Sequence, residues 1–449
     1  MFAFRWFTCP ILALVFLSFP VNAQNTQSCL LGLDAANAER YLEARDQLTT
    51  CIDQAGLQGS NLALVYRVRG VTYGELDQDE LALNDLNRAV QSDPEYAEAY
   101  YSRGLLWQRA EEFENAVEDY SRAIRFDGQH AASINNRGNA YWDLGDYQSA
   151  MEDYTRFIDL TPDEAIAYSN RGNAWFDLGN FQRATEDYQR AVQLDPDLPT
   201  PIHNLGVVWS AQGEYRRAIE SYSQALALDP ENPQTLSNRA QSWLALGDRQ
   251  RALDDFDAAI RADPEFIDAY AGRAELWLLE GEFERAIEEL NLVIRSRPRG
   301  TALLQLRGRT WARIGDQTRA IADFSTVIRL DPRNGEAYNQ RAWSRYLEGT
   351  DHQQAFEDAQ MAFRLLGEDP EALNTVAHIV AAAGDPEKAL DVFDRVAELS
   401  DIGLIARYQT TLTVRGYYTD TVDGIYDAAT RRALAECMQA ACNAWSPLP

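Results

Sequence analysis

Lysine is nearly absent from this chain of 449 residues: of its 41 basic residues, all but Lys388 are arginine, against 69 acidic residues. The formal net charge is −28, and no arginine-rich run interrupts the acidic balance. Nucleic acids and anionic lipid surfaces are bound mainly through clusters of basic side chains. The composition therefore argues against a nucleic-acid partner and favours a neutral or basic one.

Residue patterns typical of catalysis or metal binding are also lacking. The four histidines, at positions 130, 203, 352 and 378, are scattered along the chain. There is no histidine-centred constellation, no nucleophile motif and no glycine-rich phosphate loop, and the many carboxylates fit solvated helix faces. We therefore expect no enzymatic activity, no cofactor and no metal site.

Only one segment is continuously apolar. Residues 1–23 combine an early Arg5, an apolar block and small residues at the end, Val21-Asn22-Ala23, as in a cleavable secretory signal peptide. An uncleaved membrane anchor is the alternative, but the run is short for a span and Pro10 interrupts it. We expect an exported protein with no membrane span after signal cleavage.

Cysteine is rare, and four of the five cysteines lie near the two ends of the predicted mature chain. Cys29 and Cys51 form one end pair and Cys437 and Cys442 the other. An even count in an exported protein predicts disulfides. Metal binding is the competing interpretation, but the scattered histidines supply no ligand cluster.

What the chain has in abundance is a repeat of 34 residues. Places within each unit are counted from starts at Ala63, Ala97, Ala131, Ala165, Pro199, Pro233, Ile267, Thr301 and Gly335, with a last unit from Pro370. A small residue recurs at place 8, an aromatic at place 11, alanine at place 20 and proline at place 32. This pattern predicts two antiparallel amphipathic helices per unit, the second ended by Asp-Pro.

The spacing resembles the tetratricopeptide repeat family. The resemblance implies an all-α superhelical solenoid of about 10–11 helix pairs, with the first helix of each pair lining a concave, ligand-binding face. We expect residues 63–400 to form the repeat array and residues 25–62 to form a degenerate N-terminal pair.

Arginine at place 7 and an acid at place 23 vary together. Eight units have both residues, whereas Leu205 occurs with Ser221 and Val376 with Val392. A partly buried arginine without its acid would be destabilising. We therefore predict Arg–carboxylate pairs between the two helices of a unit, with a structural role.

Place 6 of each unit is expected to face the concave groove, and four consecutive units have asparagine there. The predicted groove residues are Asn136, Asn139, Trp142, Asn170, Asn173, Phe176, Asn204 and Asn238. Side-chain amides both donate and accept hydrogen bonds and so suit the main chain of an extended peptide. A similar ladder occurs in the repeat domain of O-linked N-acetylglucosamine transferase. The alternative is that the asparagines reflect recent duplication of one unit. The groove lacks the lysines of carboxylate-clamp members of the family.

Residues 401–449 depart from the repeat and resemble a shortened form of the small helical peptidoglycan-binding domain. The corresponding binding-domain residues are Gln409, Tyr417, Asp423, Gly424 and Tyr426. Asp427 stands where that family usually has glycine, and its second half is missing. A Cys437–Cys442 bridge would replace part of the lost core.

Two functional hypotheses follow. The first is an exported adaptor in the periplasm of a diderm bacterium, which binds a protein or peptide in its groove and is tethered to peptidoglycan by its tail. The second is a structural, envelope-organising protein without a peptide ligand, in which the tail only caps the solenoid. Alanine replacement of the place-6 asparagines separates the two.

Overall fold

The computed structural model describes residues 27–349, 351–400 and 402–439. Within these ranges the chain forms 24 α-helices, which pack as antiparallel pairs typical of a tetratricopeptide solenoid. The all-α prediction is therefore confirmed. Amphipathic helices of this length are stabilised chiefly by burying their apolar faces against one another.

The chain divides into two compact units, Met1–Pro230 and Glu231–Pro449. Each second helix of a pair in the first unit follows its partner after a short turn. The helices of the first unit are α1 Gln27–Asn37, α2 Tyr41–Gln54, α3 Gly59–Glu75, α4 Asp79–Ser92, α5 Ala97–Arg109, α6 Phe113–Phe126, α7 Ala131–Asp143, α8 Tyr147–Leu160, α9 Ala165–Asp177, α10 Phe181–Leu194, α11 Pro199–Ala211 and α12 Tyr215–Leu228.

The second unit continues the same pairing and ends with the two helices of the tail. Its helices are α13 Pro233–Ala245, α14 Arg249–Ala262, α15 Ile267–Glu280, α16 Phe283–Ser296, α17 Thr301–Arg313, α18 Gln317–Leu330, α19 Gly335–Glu348, α20 His352–Leu366, α21 Pro370–Ala382, α22 Pro386–Leu399, α23 Ile402–Val414 and α24 Ala428–Gln439. In the described ranges no helix is long and apolar enough to cross a bilayer.

The glycine at place 8 makes room for the large side chain at place 24. A Cβ atom on Gly138 would lie 2.8 Å from Cε1 of Tyr154, and one on Gly172 would lie 2.7 Å from Cε1 of Tyr188. Both tyrosines are about 2% exposed. Because glycine has no side chain, the aromatic ring at place 24 can pack against its backbone and fill the space between the paired helices.

Arginines at place 7 pair with acids at place 23, as predicted. In seven pairs Nε and Nη2 bind the two oxygens of one aspartate at 2.6–2.9 Å, the bidentate geometry that guanidinium favours. The eighth pair binds one glutamate oxygen. The pairs are Arg69–Asp85, Arg103–Asp119, Arg137–Asp153, Arg171–Asp187, Arg239–Asp255, Arg273–Glu289, Arg307–Asp323 and Arg341–Asp358.

The same arginines also bind the preceding repeat. Nη1 of Arg137 donates to Ser121 at 3.0 Å, and Nη1 of Arg103 donates to Asn87 at 2.7 Å. Each of these arginines therefore joins three helices: its own, its paired helix and the second helix of the repeat before it. These contacts align successive repeats as well as the two helices within one.

The N-terminal pair is closed by the predicted Cys29–Cys51 disulfide, which joins α1 to α2. Both sulfurs are buried in an apolar cluster with Leu48 and with Val65 and Val68 of α3. The cross-link stabilises a short helix pair that packs against α3. Of the second predicted bridge, Cys437 is buried in α24, and Cys442 lies outside the described residues.

Candidate functional site

Three consecutive first helices of the first unit, α7, α9 and α11, form the surface that we call the asparagine face. Successive members contact each other. They place Asn136, Asn170 and Asn204 at place 6, each only partly buried. Asn238, the fourth asparagine at place 6, lies in α13 of the second unit.

Buried tyrosine hydroxyls lie beneath these asparagines. Tyr154 Oη donates to Oδ1 of Asn139 at 2.8 Å, and Tyr188 Oη donates to Oδ1 of Asn173 at 2.8 Å. Burial raises the pKa of both tyrosines, so their hydroxyls stay protonated. Because a buried hydroxyl needs a hydrogen-bond partner, the place-9 asparagines have a clear structural role.

The place-6 asparagines connect each repeat to the one before it. Nδ2 of Asn204 donates to Oδ1 of Asn173 at 2.9 Å. Nδ2 of Asn170 donates to Oδ1 of Asn135 at 3.0 Å and of Asn139 at 3.4 Å. The amide nitrogens are thus directed into a seam between repeats, together with the tyrosine hydroxyls.

The side-chain oxygens of the four place-6 asparagines differ in their hydrogen bonding. Oδ1 of Asn136 accepts from Asn135 at 3.2 Å, and Oδ1 of Asn238 accepts from Gln234 at 3.1 Å. Among the described residues, nothing donates to Oδ1 of Asn170 or Asn204. Two adjacent repeats therefore present an acceptor at the same repeat position.

The predicted aromatic residues are arranged differently from each other. Trp142 is 39% exposed, and its Nε1 donates to Oδ2 of Asp177 in the next repeat at 2.7 Å. Phe176 is partly buried and packs against Phe181, with ring centroids 5.4 Å apart. Trp142 thus has an exposed ring surface, whereas the ring of Phe176 is partly covered by Phe181.

The link between tyrosine and asparagine was missed at the sequence level, although the sequence contains it. Units with tyrosine at place 24 are followed by units with asparagine at place 6, and units with another residue at place 24 are not. The tyrosine cases are Tyr120–Asn136, Tyr154–Asn170, Tyr188–Asn204 and Tyr222–Asn238; the others are Leu86–Ser102, Phe256–Gly272, Leu290–Leu306 and Phe324–Gln340. Hydrogen bonds in the seam give Asn170 and Asn204 a structural role, and duplication of one unit also accounts for the repeated pattern.

In the tail, Gln409 is an internal hydrogen-bonding centre. It is fully buried, and its Oε1 accepts from the backbone N–H groups of Asp423 at 3.0 Å and Gly424 at 2.8 Å. Its Nε2 donates to Oδ1 of Asp423 at 2.9 Å and to Thr430 at 3.1 Å. Gln409, Asp423 and Gly424 thus hold the turn between α23 and α24 together.

The tail packs onto the last repeat through apolar and polar contacts. Tyr426 Oη donates to Asp394 of α22 at 2.8 Å, and Arg431 pairs with the same carboxylate at 2.9 Å. Tyr417 is partly buried against an apolar cluster that the last repeat and the tail form together. Its fully packed members from the last repeat and the tail include Leu390, Phe393, Val396, Ile405, Tyr408, Leu412, Tyr418, Ala433 and Leu434.

The described residues contain no group of three or more His, Cys, Asp or Glu side chains placed to hold a metal ion. Burial lowers the pKa of His203 and of His378 to about 4. Both imidazoles are therefore neutral near pH 7, and each packs against aromatic rings of the core.

Two family models match the sequence of this chain, and both describe the same repeat. One tetratricopeptide repeat model matches residues 72–131, 135–199 and 210–265, and a second matches residues 243–309. Together they cover about half of the chain. The chain belongs to the tetratricopeptide repeat family. Neither model describes a catalytic domain, and repeats of this family typically serve as protein-interaction scaffolds.

Several solved structures, two of them described as tetratricopeptide proteins, are similar to parts of this chain. A repeat protein from Parabacteroides merdae is 21% identical, with 55% of this chain and 97% of that chain covered, at a TM-score of 0.41. The pilF protein of Pseudomonas aeruginosa is 21% identical, with 48% and 97% covered, at a TM-score of 0.42. YrrB, described as having an unusual peptide-binding site, is 21% identical, with 41% and 95% covered, at a TM-score of 0.33. No curated protein matches the chain.

Proposed function

We propose that this tetratricopeptide protein is a non-enzymatic scaffold that binds an extended polypeptide across the asparagine face. The observation that carries the proposal is the pair of oxygens on Asn170 and Asn204, which have no donor among the described residues. In an extended chain, alternate residues point to the same side, so their N–H groups can meet acceptors on successive helices. The two side chains supply acceptors to the main chain without selecting a sequence.

The seam beneath the face supports this role by fixing the acceptors in place. Each of the two amides is held through its nitrogen by the preceding repeat, at 3.0 Å for Asn170 and 2.9 Å for Asn204. An amide that is already oriented loses little conformational freedom when it binds a ligand. The structural role of the asparagines and the proposed binding role are therefore compatible.

The test uses two matched double variants of the full chain. Asn170→Ala/Asn204→Ala removes the two open oxygens, whereas Asn136→Ala/Asn238→Ala removes two oxygens that already accept internal hydrogen bonds. The probe is a peptide selected on the unmodified chain from a random dodecapeptide library, and its affinity is measured by calorimetry. Because each lost hydrogen bond costs about 0.5–1.5 kcal/mol, we expect the first variant to bind roughly 10- to 100-fold more weakly.

The control variant is expected to bind within about threefold of the unmodified chain, a free-energy difference of about 0.6 kcal/mol. Melting curves of both variants report whether the array is intact. Equal losses in the two variants would show that the asparagines act only on the fold. A selection that yields no binding peptide would favour the structural, envelope-organising alternative.

We further propose that the chain acts after export to the periplasm of a diderm bacterium. Residues 1–23 have the pattern of a signal peptide but lie outside the described residues. The Cys29–Cys51 disulfide supports the proposal, since disulfides persist in oxidising compartments. Mass spectrometry of a periplasmic fraction should find a chain that begins at Gln24; a chain that still begins at Met1 would contradict it.

For the tail we propose the role of a cap. Its contacts with Asp394 and with the apolar cluster cover apolar surface of the last repeat. A tether to peptidoglycan through Gln409, Tyr417, Asp423, Gly424 and Tyr426 has less support, because Gln409 is buried and Tyr426 is bound to Asp394. Co-sedimentation with purified sacculi tests it: pelleting that is lost on truncation at Ser400 would restore the tether.

A further inference from the structure

On the asparagine face every arginine is paired with an acid, whereas two carboxylates have no cationic partner among the described residues. Its two arginines, Arg137 and Arg171, are bound bidentately to Asp153 and Asp187 on the second helices. Its one histidine, His203, is neutral near pH 7 because burial lowers its pKa. The net charge that this face presents is therefore set by its carboxylates.

Two carboxylates stand at place 13 of successive repeats, Asp143 and Asp177, and both are exposed. Neither forms an ion pair with any basic side chain in the described part of the chain. Partial burial raises the pKa of Asp143, a hydrogen bond from Gln108 lowers it, and the nearby negative charge of Glu111 raises it further. A cation brought to this place would relieve the repulsion.

An aromatic ring lies directly beside these acids. Trp142 precedes Asp143 in α7, and its indole N–H is bound to Asp177 at 2.7 Å. That bond joins two repeats and holds the exposed ring in one orientation. Tryptophan is the side chain whose face attracts cations most strongly. An oriented ring, with two carboxylates beside it that have no cationic partner among the described residues, is complementary to an ammonium or guanidinium group.

From this charge complementarity we propose that the polypeptide bound across the asparagine face is a basic one, with a Lys or Arg side chain placed over Trp142 between Asp143 and Asp177. This inference rests on the proposed function and adds the class of ligand. The oxygens of Asn170 and Asn204 would receive main-chain N–H groups, and the Trp142 subsite would select the side chain. Neutral and acidic peptides are the alternatives that the test includes.

The test compares three capped decapeptides in which threonine alternates with one other residue. That residue is Lys in the first peptide, Gln in the second and Glu in the third. Binding of each fluorescein-labelled peptide to the full chain is measured by anisotropy. Asp143→Asn/Asp177→Asn removes the two charges and leaves an acceptor for the Trp142 indole. The matched control, Glu152→Gln/Glu186→Gln, makes the same change in net charge on the exposed surfaces of α8 and α10.

We expect the Lys peptide to bind the unmodified chain at least tenfold more tightly than the Gln peptide, and the Glu peptide to bind most weakly. The Asp143→Asn/Asp177→Asn chain should lose most of that preference, while the control variant should keep it. A preference that survives in the first variant, or is lost equally in both, would overturn the inference as non-specific attraction to an acidic protein.

Two further outcomes separate this inference from the proposed function. If the Gln peptide binds as tightly as the Lys peptide and the Asn170→Ala/Asn204→Ala change weakens both, peptide binding across the asparagine face is supported and the preference for basic peptides is refuted. If none of the three peptides binds at millimolar concentration, both the ligand class and the peptide-binding face are refuted.

Discussion

Replacing Asp153 with alanine should destabilise the first unit by about 3–5 kcal/mol, the usual effect of removing one partner of a buried ion pair. Asp153 is 5% exposed, and it accepts both Nε and Nη2 of Arg137 at 2.7 Å. The arginine would remain enclosed between α7, α8 and α6, with the Ser121 hydroxyl and the Tyr141 ring as contacts but no acid. Urea unfolding followed by circular dichroism measures the loss.

Two controls make this prediction specific to the pair. Asp163→Ala removes an exposed carboxylate in the loop before α9 and should change stability by less than about 0.5 kcal/mol. The double change Arg137→Leu/Asp153→Leu removes both charges, and the repeat that begins at Pro199 naturally lacks both, with Leu205 and Ser221 at the two places. It should recover most of the loss, since an uncompensated buried charge is the main penalty. An unchanged unfolding curve for Asp153→Ala would contradict the account of the pairs.

Gln409→Leu should detach the tail from the array. The change leaves the buried N–H of Gly424 and the N–H of Asp423 without their shared acceptor, and each orphaned donor costs about 1–3 kcal/mol. Tyr418 and Thr430 lose a donor in the same step. Limited proteolysis followed by mass spectrometry should show rapid cleavage between α23 and α24, while the repeats remain protected.

Gln439→Leu is the matched control, since Gln439 is exposed at the end of α24. It should leave the cleavage rate unchanged. If Gln409→Leu were as resistant to protease as the unmodified chain, Gln409 would not be the centre of the tail fold. Loss of the tail should also lower the melting temperature of the last repeat, because the apolar surface of α22 around Phe393 would become exposed.

The regular part of the fold could be predicted from the sequence because every repeat provides an independent copy of the same pattern. Helix pairs, their turns and the Arg–acid contacts recur every 34 residues. A residue pattern that is present in many copies can therefore be distinguished from a coincidence in one copy. The pairing of Arg137 with Asp153 was readable because both residues are absent together in the unit of Leu205. The geometry then confirmed it.

The contacts of each arginine with the preceding repeat were harder to predict, although they also leave a pattern. Place 25 carries short polar residues such as Ser121 and Thr155 before repeats that have the arginine. It carries the longer Gln189 and Gln360 before the two repeats that lack it. Which residue faces the arginine depends on how one repeat stacks on the next, and periodicity alone does not specify that stacking.

The candidate site was predicted only in part, because side-chain direction within a repeat is not a property of spacing. Asparagine at place 6 was correctly located on the first helices, but the buried hydroxyls of Tyr154 and Tyr188 that bind the network were not foreseen. The distinction between the occupied oxygen of Asn136 and the open one of Asn170 likewise required coordinates. In the tail, the burial of Gln409 and its hydrogen bonds to the turn between α23 and α24 could not be predicted from the motif alone.

The most direct test of the central claim is site-specific photo-crosslinking in the cell. A benzophenone amino acid is placed at Ile166, which is 42% exposed on α9 one turn before Asn170. The control position is Gln189, exposed on the second helix α10. We expect a covalent polypeptide adduct at position 166 that is lost with Asn170→Ala/Asn204→Ala, and none at position 189. Equal labelling at both positions, or an adduct at 166 that is indifferent to those changes, would contradict it.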